Sequence, residues 1–150
     1  VQVKIINNED DWKSLRKNWN DIMLLSPDPT PSTSFEWQWI WWKNYLPKAK
    51  LNIIILKQKG KIIAILPLIK YKQIYSFIPN CTADFLTFIT QNVYEELLLL
   101  ALTKGTNTKA GYQLENIPYS HNIFYLYKYI FESHFIRSLQ IFINSMFSYL

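Results

Sequence analysis

Cysteine and glycine are scarce in this sequence, and each scarcity excludes a class of function. The single cysteine, Cys81, has no partner for an internal disulfide, which is typical of a reducing compartment and predicts a cytoplasmic protein. Only 3 glycines occur in 150 residues, so a glycine-rich loop that binds phosphate is not expected. One cysteine and 2 histidines, at their spacing, do not make a zinc site either.

Long apolar runs are also missing. The two longest, residues 62–69 and 97–102, fall well short of the roughly 20 residues that span a bilayer. The first residues do not show the basic-then-apolar order of a signal peptide. The sequence therefore predicts a protein without a transmembrane segment.

Apolar residues, by contrast, are plentiful. Hydrophobic residues make up 49% of the chain and aromatic residues 17%, which is enough for one packed domain spanning residues 1–150. The net charge of +5 allows an anionic partner, such as a nucleotide, a nucleic acid, an acidic glycan or a membrane surface. Most lysines are scattered, as on an ordinary solvated face. A local cluster comprises Lys57, Lys59, Lys61, Lys70 and Lys72.

The middle of the chain reads as a buried β-hairpin. Residues 51–56 and 61–66 are strand-like, and Gly60 supplies a residue that tolerates positive φ in the turn between them. The uninterrupted isoleucines at 53–55 indicate burial on both faces. Pro67 lacks an N–H and is predicted to end the pairing.

Helices and strands are predicted to alternate in the rest of the chain. Residues 1–6 alternate like a strand, and Asn8 is placed to cap an amphipathic helix whose apolar positions run from Trp12 to Met23. The pattern predicts an α/β protein with a mixed sheet and helices on its faces. Further strands are predicted at 74–78, 85–89 and 112–116, and further helices at 94–104 and 121–134.

Four of the 6 tryptophans lie in residues 33–47, TSFEWQWIWWKNYLP. Thr33 and Glu36 have the spacing of a capping box, so a helix is predicted to begin there and to end before Pro47. A helix that is aromatic on two faces must be covered on both. One face is predicted to pack on the sheet. The second face is predicted either to join the core or to be covered by a ligand, another helix or another domain. The first stripe is Phe35, Trp39, Trp42 and Leu46, and the second is Trp37, Trp41 and Tyr45.

Several short motifs follow one another in a recognisable order. The tryptophan- and leucine-containing helix at 12–25 leads through a proline link into Thr33-Ser34-Phe35-x-Trp37 and Trp41-Trp42. The hairpin then ends in Pro67-Leu68, and Ala83-Asp84-Phe85-Leu86 and Leu114-Glu115-Asn116-Ile117-Pro118 follow. In this order, over residues 10–120, the chain resembles the N-terminal half of CelD-like (cellulose-biosynthesis-type) acetyltransferases of the GNAT superfamily, which are related to the FemAB-like transferases. Ala83–Leu86 is similar to that family's Asp-Tyr-x-Asp element.

The resemblance implies a GNAT-like mixed sheet and transfer of an acyl group from acetyl-CoA, or another acyl-CoA, to an amine. The acceptor would be a small molecule, an amino sugar or a peptide amine. This chemistry needs a base for the amine, donors for the oxyanion and a helix N-terminus for the pyrophosphate. In the family the cofactor half lies C-terminal to the matched part. The chain is therefore expected to be a fragment, a split gene product or a non-catalytic relative, completed by a missing half or another protomer.

For substrate binding, the resemblance and the second stripe favour Trp37, Trp41, Tyr45 and Asp84 as an acceptor-side surface. Catalytic and cofactor-binding residues stay unassigned. Asp84 also suits an ordinary turn before a strand, and Cys81 suits a bystander thiol better than a nucleophile.

A non-enzymatic alternative remains open, namely a binding module that holds a nucleic acid or an acidic glycan through the basic hairpin. Tyrosines beside lysines at residues 70–77 could stack bases. The sequence carries no recognisable nucleic-acid-binding motif, which disfavours nucleic acid as the partner.

Overall fold

The computed structural model describes residues 1–27, 29–78, 88–91, 95–107 and 110–114. Most of the predicted elements within these ranges are present, and the predicted helix at 121–134 lies outside them. The strands are β1 (Gln2–Ile6), β2 (Lys50–Gln58), β3 (Lys61–Tyr71), β4 (Ile74–Phe77), β5 (Ile89–Thr90) and β6 (Gly111–Gln113). The helices are α1 (Glu9–Ser14), α2 (Arg16–Leu25), α3 (Phe35–Tyr45) and α4 (Glu95–Gly105), with a 3₁₀ turn at Pro31–Thr33.

The strands form one open mixed sheet in the order β1-β2-β3-β4-β6, and the short β5 pairs with β3 beside β4. The first four strands of this order are antiparallel neighbours. Strand β6 then runs parallel to β4, and α4 lies between the two in sequence. The prediction of an α/β fold with a mixed sheet is confirmed.

Two apolar cores lie on the two faces of the sheet. Helices α1–α3 form a layer against one face, where Ile53 and Ile55 are fully buried. Helix α4 covers the other face, where Ile54 and Leu56 are fully buried. Because successive strand residues point to opposite faces, the unbroken isoleucine run serves both cores, as predicted. No helix in the described ranges combines the length and apolar character needed to cross a membrane.

The prediction that Pro67 ends the hairpin is wrong. Strand β3 continues to Tyr71, and Pro67 is the Cα partner of Ile53. The carbonyl of Pro67 accepts a hydrogen bond from the Ile78 N–H at 3.0 Å. In an antiparallel strand the N–H and the C=O of one residue point to the same neighbouring strand. The N–H that Pro67 lacks would therefore point to the β4 side of β3, just beyond the last paired residue of β4. The ladder with β2 therefore loses nothing.

Two helix boundaries also differ from expectation. The amphipathic helix predicted after the Asn8 cap is broken at Leu15. The N–H of Leu15 donates to the carbonyl of Trp12 three residues back, a tighter turn than an α-helix makes. Helix α3 is capped by Ser34, whose Oγ accepts from the Trp37 N–H at 3.3 Å. Thr33 instead closes the 3₁₀ turn. The carboxylate of Glu36 accepts hydrogen bonds from side chains of helix α2, so it does not complete the predicted capping box.

Candidate functional site

The first stripe of α3 packs in the core, as predicted, with Trp39 and Leu46 partly buried. Phe35 and Trp42 are buried, and the indole N–H of Trp42 donates to the Ala49 carbonyl at 3.1 Å. Trp12 of α1 lies at the centre of this packing and is fully buried. Its ring centroid lies 5.0–6.0 Å from those of Trp19, Phe35, Trp39 and Trp42. The aromatic cluster fixes α3 against α1 and α2.

The second stripe is divided between core and surface. Trp41 is 6% exposed, whereas Trp37 is 46% and Tyr45 67% exposed. The rings of Trp41 and Tyr45 lie 5.7 Å apart, centroid to centroid. These three side chains and Ile40 line one open groove of about 320 Å³, the aromatic groove. Three of the four predicted site residues therefore lie together; Asp84 lies outside the described residues.

Ile40 is a groove residue that sequence reasoning missed. Its side chain is 59% exposed and lines the cavities on both flanks of α3. The signal was its spacing, since it follows Trp37 by three residues and lies on the same helix face. Ile40 belongs to neither aromatic stripe, so the stripe pattern did not predict it.

A second cavity, of about 440 Å³, lies on the other flank of α3. Its floor is aromatic, with the rings of Phe35 and Trp39 stacked at 5.7 Å. The Glu36 carboxylate in its wall accepts hydrogen bonds from Asn20 Nδ2 at 2.9 Å and Arg16 Nε at 2.6 Å. The hydrogen bond from Asn20, and then that from Arg16, lowers the pKa of Glu36 below its ordinary value.

Charged groups beside this cavity compensate one another. Hydrogen bonds from Lys43 and then Lys13 lower the pKa of Glu9, and their ammonium nitrogens lie 2.8 and 3.1 Å from its Oε1. The same two nitrogens lie 5.5 and 5.2 Å from the centre of the Trp39 ring. A surface whose cations already have carboxylate partners does not select an anion.

Stability should fall in acid through Glu36. A carboxyl group with a lowered pKa stabilises the fold above its unfolded pKa, and this contribution is lost as the pH falls through the folded pKa. The loss should begin near the ordinary value of 4.5 and amount to less than about 1 kcal/mol, because solvent screens an exposed pair. In urea unfolding at neutral and acidic pH, Glu36→Gln should flatten the pH dependence relative to the native chain. A variant that follows the native curve throughout would contradict this role.

The aromatic groove can bind a ligand, and the phenol of Tyr45 is the one side-chain group in its described lining that can donate or accept a proton. Its described lining contains no carboxylate, histidine or cysteine. In the part of the chain that the structure describes, no three side chains of the metal-ligating types come together either. The chemistry of the described groove is therefore contact with an apolar or planar surface.

The five clustered lysines of the sequence do not lie together. Lys57, Lys59 and Lys61 surround the β2–β3 turn, where Lys59 and Gly60 both have positive φ, as a tight hairpin requires. Lys70 and Lys72 lie at the far end of β3, roughly 30 Å away. The β2–β3 hairpin turn thus carries three of the five lysines.

Comparison with family models, with curated proteins and with solved structures finds no match to this chain.

Proposed function

We propose that this chain is a GNAT-like domain of an acyl-CoA-dependent N-acyltransferase and that it supplies the acceptor side of the site. The observation that carries the proposal is the aromatic groove on α3, above a mixed sheet of the class that the resemblance implies. Its volume of about 320 Å³ falls in the range of small-molecule sites. The groove is formed by the same tryptophan-rich segment on which the resemblance rests.

The N-termini of α1 and α3 do not suit the phosphates of acyl-CoA. A pyrophosphate favours a helix N-terminus with free N–H groups. The N-terminus of α1 carries Glu9, Asp10 and Asp11, and its cap is filled by Asn8. That of α3 is capped by Ser34 and followed by Glu36. Carboxylates at these positions repel a phosphate, so neither N-terminus would hold the pyrophosphate of the cofactor.

The role of the described groove would be to hold the acceptor. Trp37 and Tyr45 expose ring faces that can pack on the apolar face of a sugar or on a peptide side chain, and a ring face also attracts an ammonium group before it loses its proton. The buried Trp41 supports the exposed Tyr45 ring from below. Such a surface orients an amine and leaves its deprotonation to another group.

Calorimetry with the full chain tests this proposal. Glucosamine and a short peptide with a free N-terminal amine are titrated as acceptor probes, and acetyl-CoA is titrated separately at two salt concentrations. At least one amine should bind, and Trp37→Ala should weaken that binding about tenfold or more. Tyr71→Ala is the matched control, since Tyr71 is 48% exposed and does not line the groove.

The outcomes separate the two parts of the proposal. Failure of both amines to bind, or equal weakening by both variants, would contradict the acceptor role. Saturable binding of acetyl-CoA would support the acyltransferase assignment and place a cofactor site in the full chain. No binding of acetyl-CoA would restrict the chain to an acceptor-binding half.

A further inference from the structure

One end of the sheet gathers lysines from three elements. Lys50 opens β2, Lys70 lies near the end of β3, and Lys72 follows in the turn to β4. Lys104 lies in the last turn of α4, whose final carbonyl, on Gly105, accepts a hydrogen bond from Asn52 of β2 at 3.0 Å. Lys50, Lys72 and Lys104 are exposed and Lys70 is half-buried. We call these four residues the basic end.

Two lysines of the basic end face each other directly. Lys50 and Lys70 are Cα partners in the antiparallel β2–β3 ladder, so their side chains project from the same face. Like charges directly opposite on neighbouring strands destabilise a sheet. The C-terminal end of α4 compensates this only in part.

Carboxylates do not relieve this repulsion in the part of the chain that the structure describes. Its ion pairs use Glu9, Asp10 and Glu36. Their cationic partners are Lys13, Arg16 and Lys43, all in the layer of α1–α3 on the other face of the sheet. Among the described residues the basic end is therefore not neutralised, and it favours an external anion.

The β3–β4 turn adds apolar side chains to the same end. Tyr71 and Ile74 are cross-strand partners beside each other, 48% and 44% exposed. The ammonium of Lys72 lies 5.7 Å from the centre of the Tyr71 ring. Tyrosine favours the headgroup level of a bilayer, and lysine is a point charge without the planar fork that clamps one phosphate. A turn that carries both suits a broad layer of phosphates better than a single bound one.

We propose that the basic end docks this protein on an anionic lipid surface. Its three exposed lysines would face the headgroup phosphates, and Tyr71 and Ile74 would enter the interface. The ammonium of the half-buried Lys70 lies 5.2 Å from the centre of the Tyr75 ring and adds positive charge behind them. Single-stranded nucleic acid could use similar side chains but normally follows a groove, whereas these residues lie at strand ends and a tight turn. The proposal is independent of acyl transfer and of the aromatic groove.

Co-sedimentation of the full chain with vesicles tests the proposal. Vesicles of phosphatidylcholine with phosphatidylserine are compared with vesicles of phosphatidylcholine alone, at low and high salt. Binding should require phosphatidylserine and should weaken as salt screens the charges. Equal binding to both kinds of vesicle, or no binding to either, would overturn the proposal.

Two double variants locate the surface. Lys50→Glu with Lys72→Glu changes the basic end, and Lys59→Glu with Lys61→Glu changes the opposite end of the sheet. Each double variant exchanges two positive charges for two negative ones, so the net charge falls from +5 to +1 in both. The first should weaken vesicle binding by at least about 25-fold, at about fivefold for each lysine lost from the surface, and the two added carboxylates should weaken it further. The second should have little effect, and equal losses from both would overturn the location.

Folding controls are built into the first double variant. Lys50→Glu places a carboxylate opposite Lys70, which should raise the thermal midpoint while vesicle binding falls. Loss of binding together with loss of folding would instead contradict a surface role. A labelled single-stranded oligonucleotide is the last arm. If it bound more tightly than the vesicles and competed with them through the same lysines, nucleic acid would replace lipid as the partner.

Discussion

Trp12→Ala is expected to lower the free energy of unfolding by about 3–5 kcal/mol. The side chain is fully buried, and four aromatic rings lie within 6.0 Å of its own, centroid to centroid. Removing the indole leaves a cavity between α1, α2 and α3 that rigid rings fill poorly. Urea unfolding followed by far-ultraviolet circular dichroism measures the loss without relying on tryptophan fluorescence.

Trp37→Ala is the matched control for this prediction. It removes the same side chain from a position that is 46% exposed, so stability should change by less than about 1 kcal/mol. Trp12→Phe should cost less than Trp12→Ala, because the phenyl ring fills part of the cavity and the Trp12 Nε1 has no hydrogen-bond partner among the described residues to lose. Equal costs for Trp12→Ala and Trp37→Ala would contradict the placement of Trp12 in the core and of Trp37 at the surface.

Asn20→Ala is expected to lower the free energy of unfolding by about 2 kcal/mol, because it removes a helix cap and a hydrogen bond to a carboxylate. Asn20 Oδ1 accepts from the Phe35 N–H at 3.0 Å, and its Nδ2 donates to Glu36 Oε2 at 2.9 Å. The side chain of α2 thus caps the first turn of α3 from outside. Thermal and urea unfolding of the variant measure the loss.

Asn18→Ala and Asn20→Asp serve as controls for the cap. Asn18 is an exposed asparagine on the same helix, and its replacement should leave stability within about 0.5 kcal/mol. Asn20→Asp keeps the acceptor for Phe35 but brings a second carboxylate to Glu36, so it should be destabilising at neutral pH and less so in acid. A neutral Asn20→Ala would show that water replaces both bonds.

Local signals predicted the elements that depend on local chemistry. The Asn8 cap, the end of α3 before Pro47 and the turn at Gly60 are confirmed because each depends on neighbours in sequence. Pro67 was misread because the edge on which its missing N–H lies depends on where β4 stops. Glu36 was misread because its partners, Arg16 and Asn20, lie on another helix.

The candidate site was predictable only in part. Helical spacing showed two aromatic stripes on α3 but not how far the second is covered. That depends on the packing of α3 against its neighbours, which buries Trp41 and leaves Trp37 and Tyr45 exposed. The lysine cluster was misread for a similar reason, since residues close in sequence occupy opposite ends of one long strand.

The pairing of β1 with β2 limits the order in which the chain can fold. Strands β2, β3 and β4 are joined by short turns and can pair with little loss of chain entropy. Strand β1 pairs with β2, for example Ile6 with Ile53, only after a loop that contains all of α1, α2 and α3 has closed. The tryptophan-rich helices must therefore pack before β1 can pair with β2. Until their aromatic rings have packed, β1 is unpaired, and the partly folded chain exposes the edge of β2.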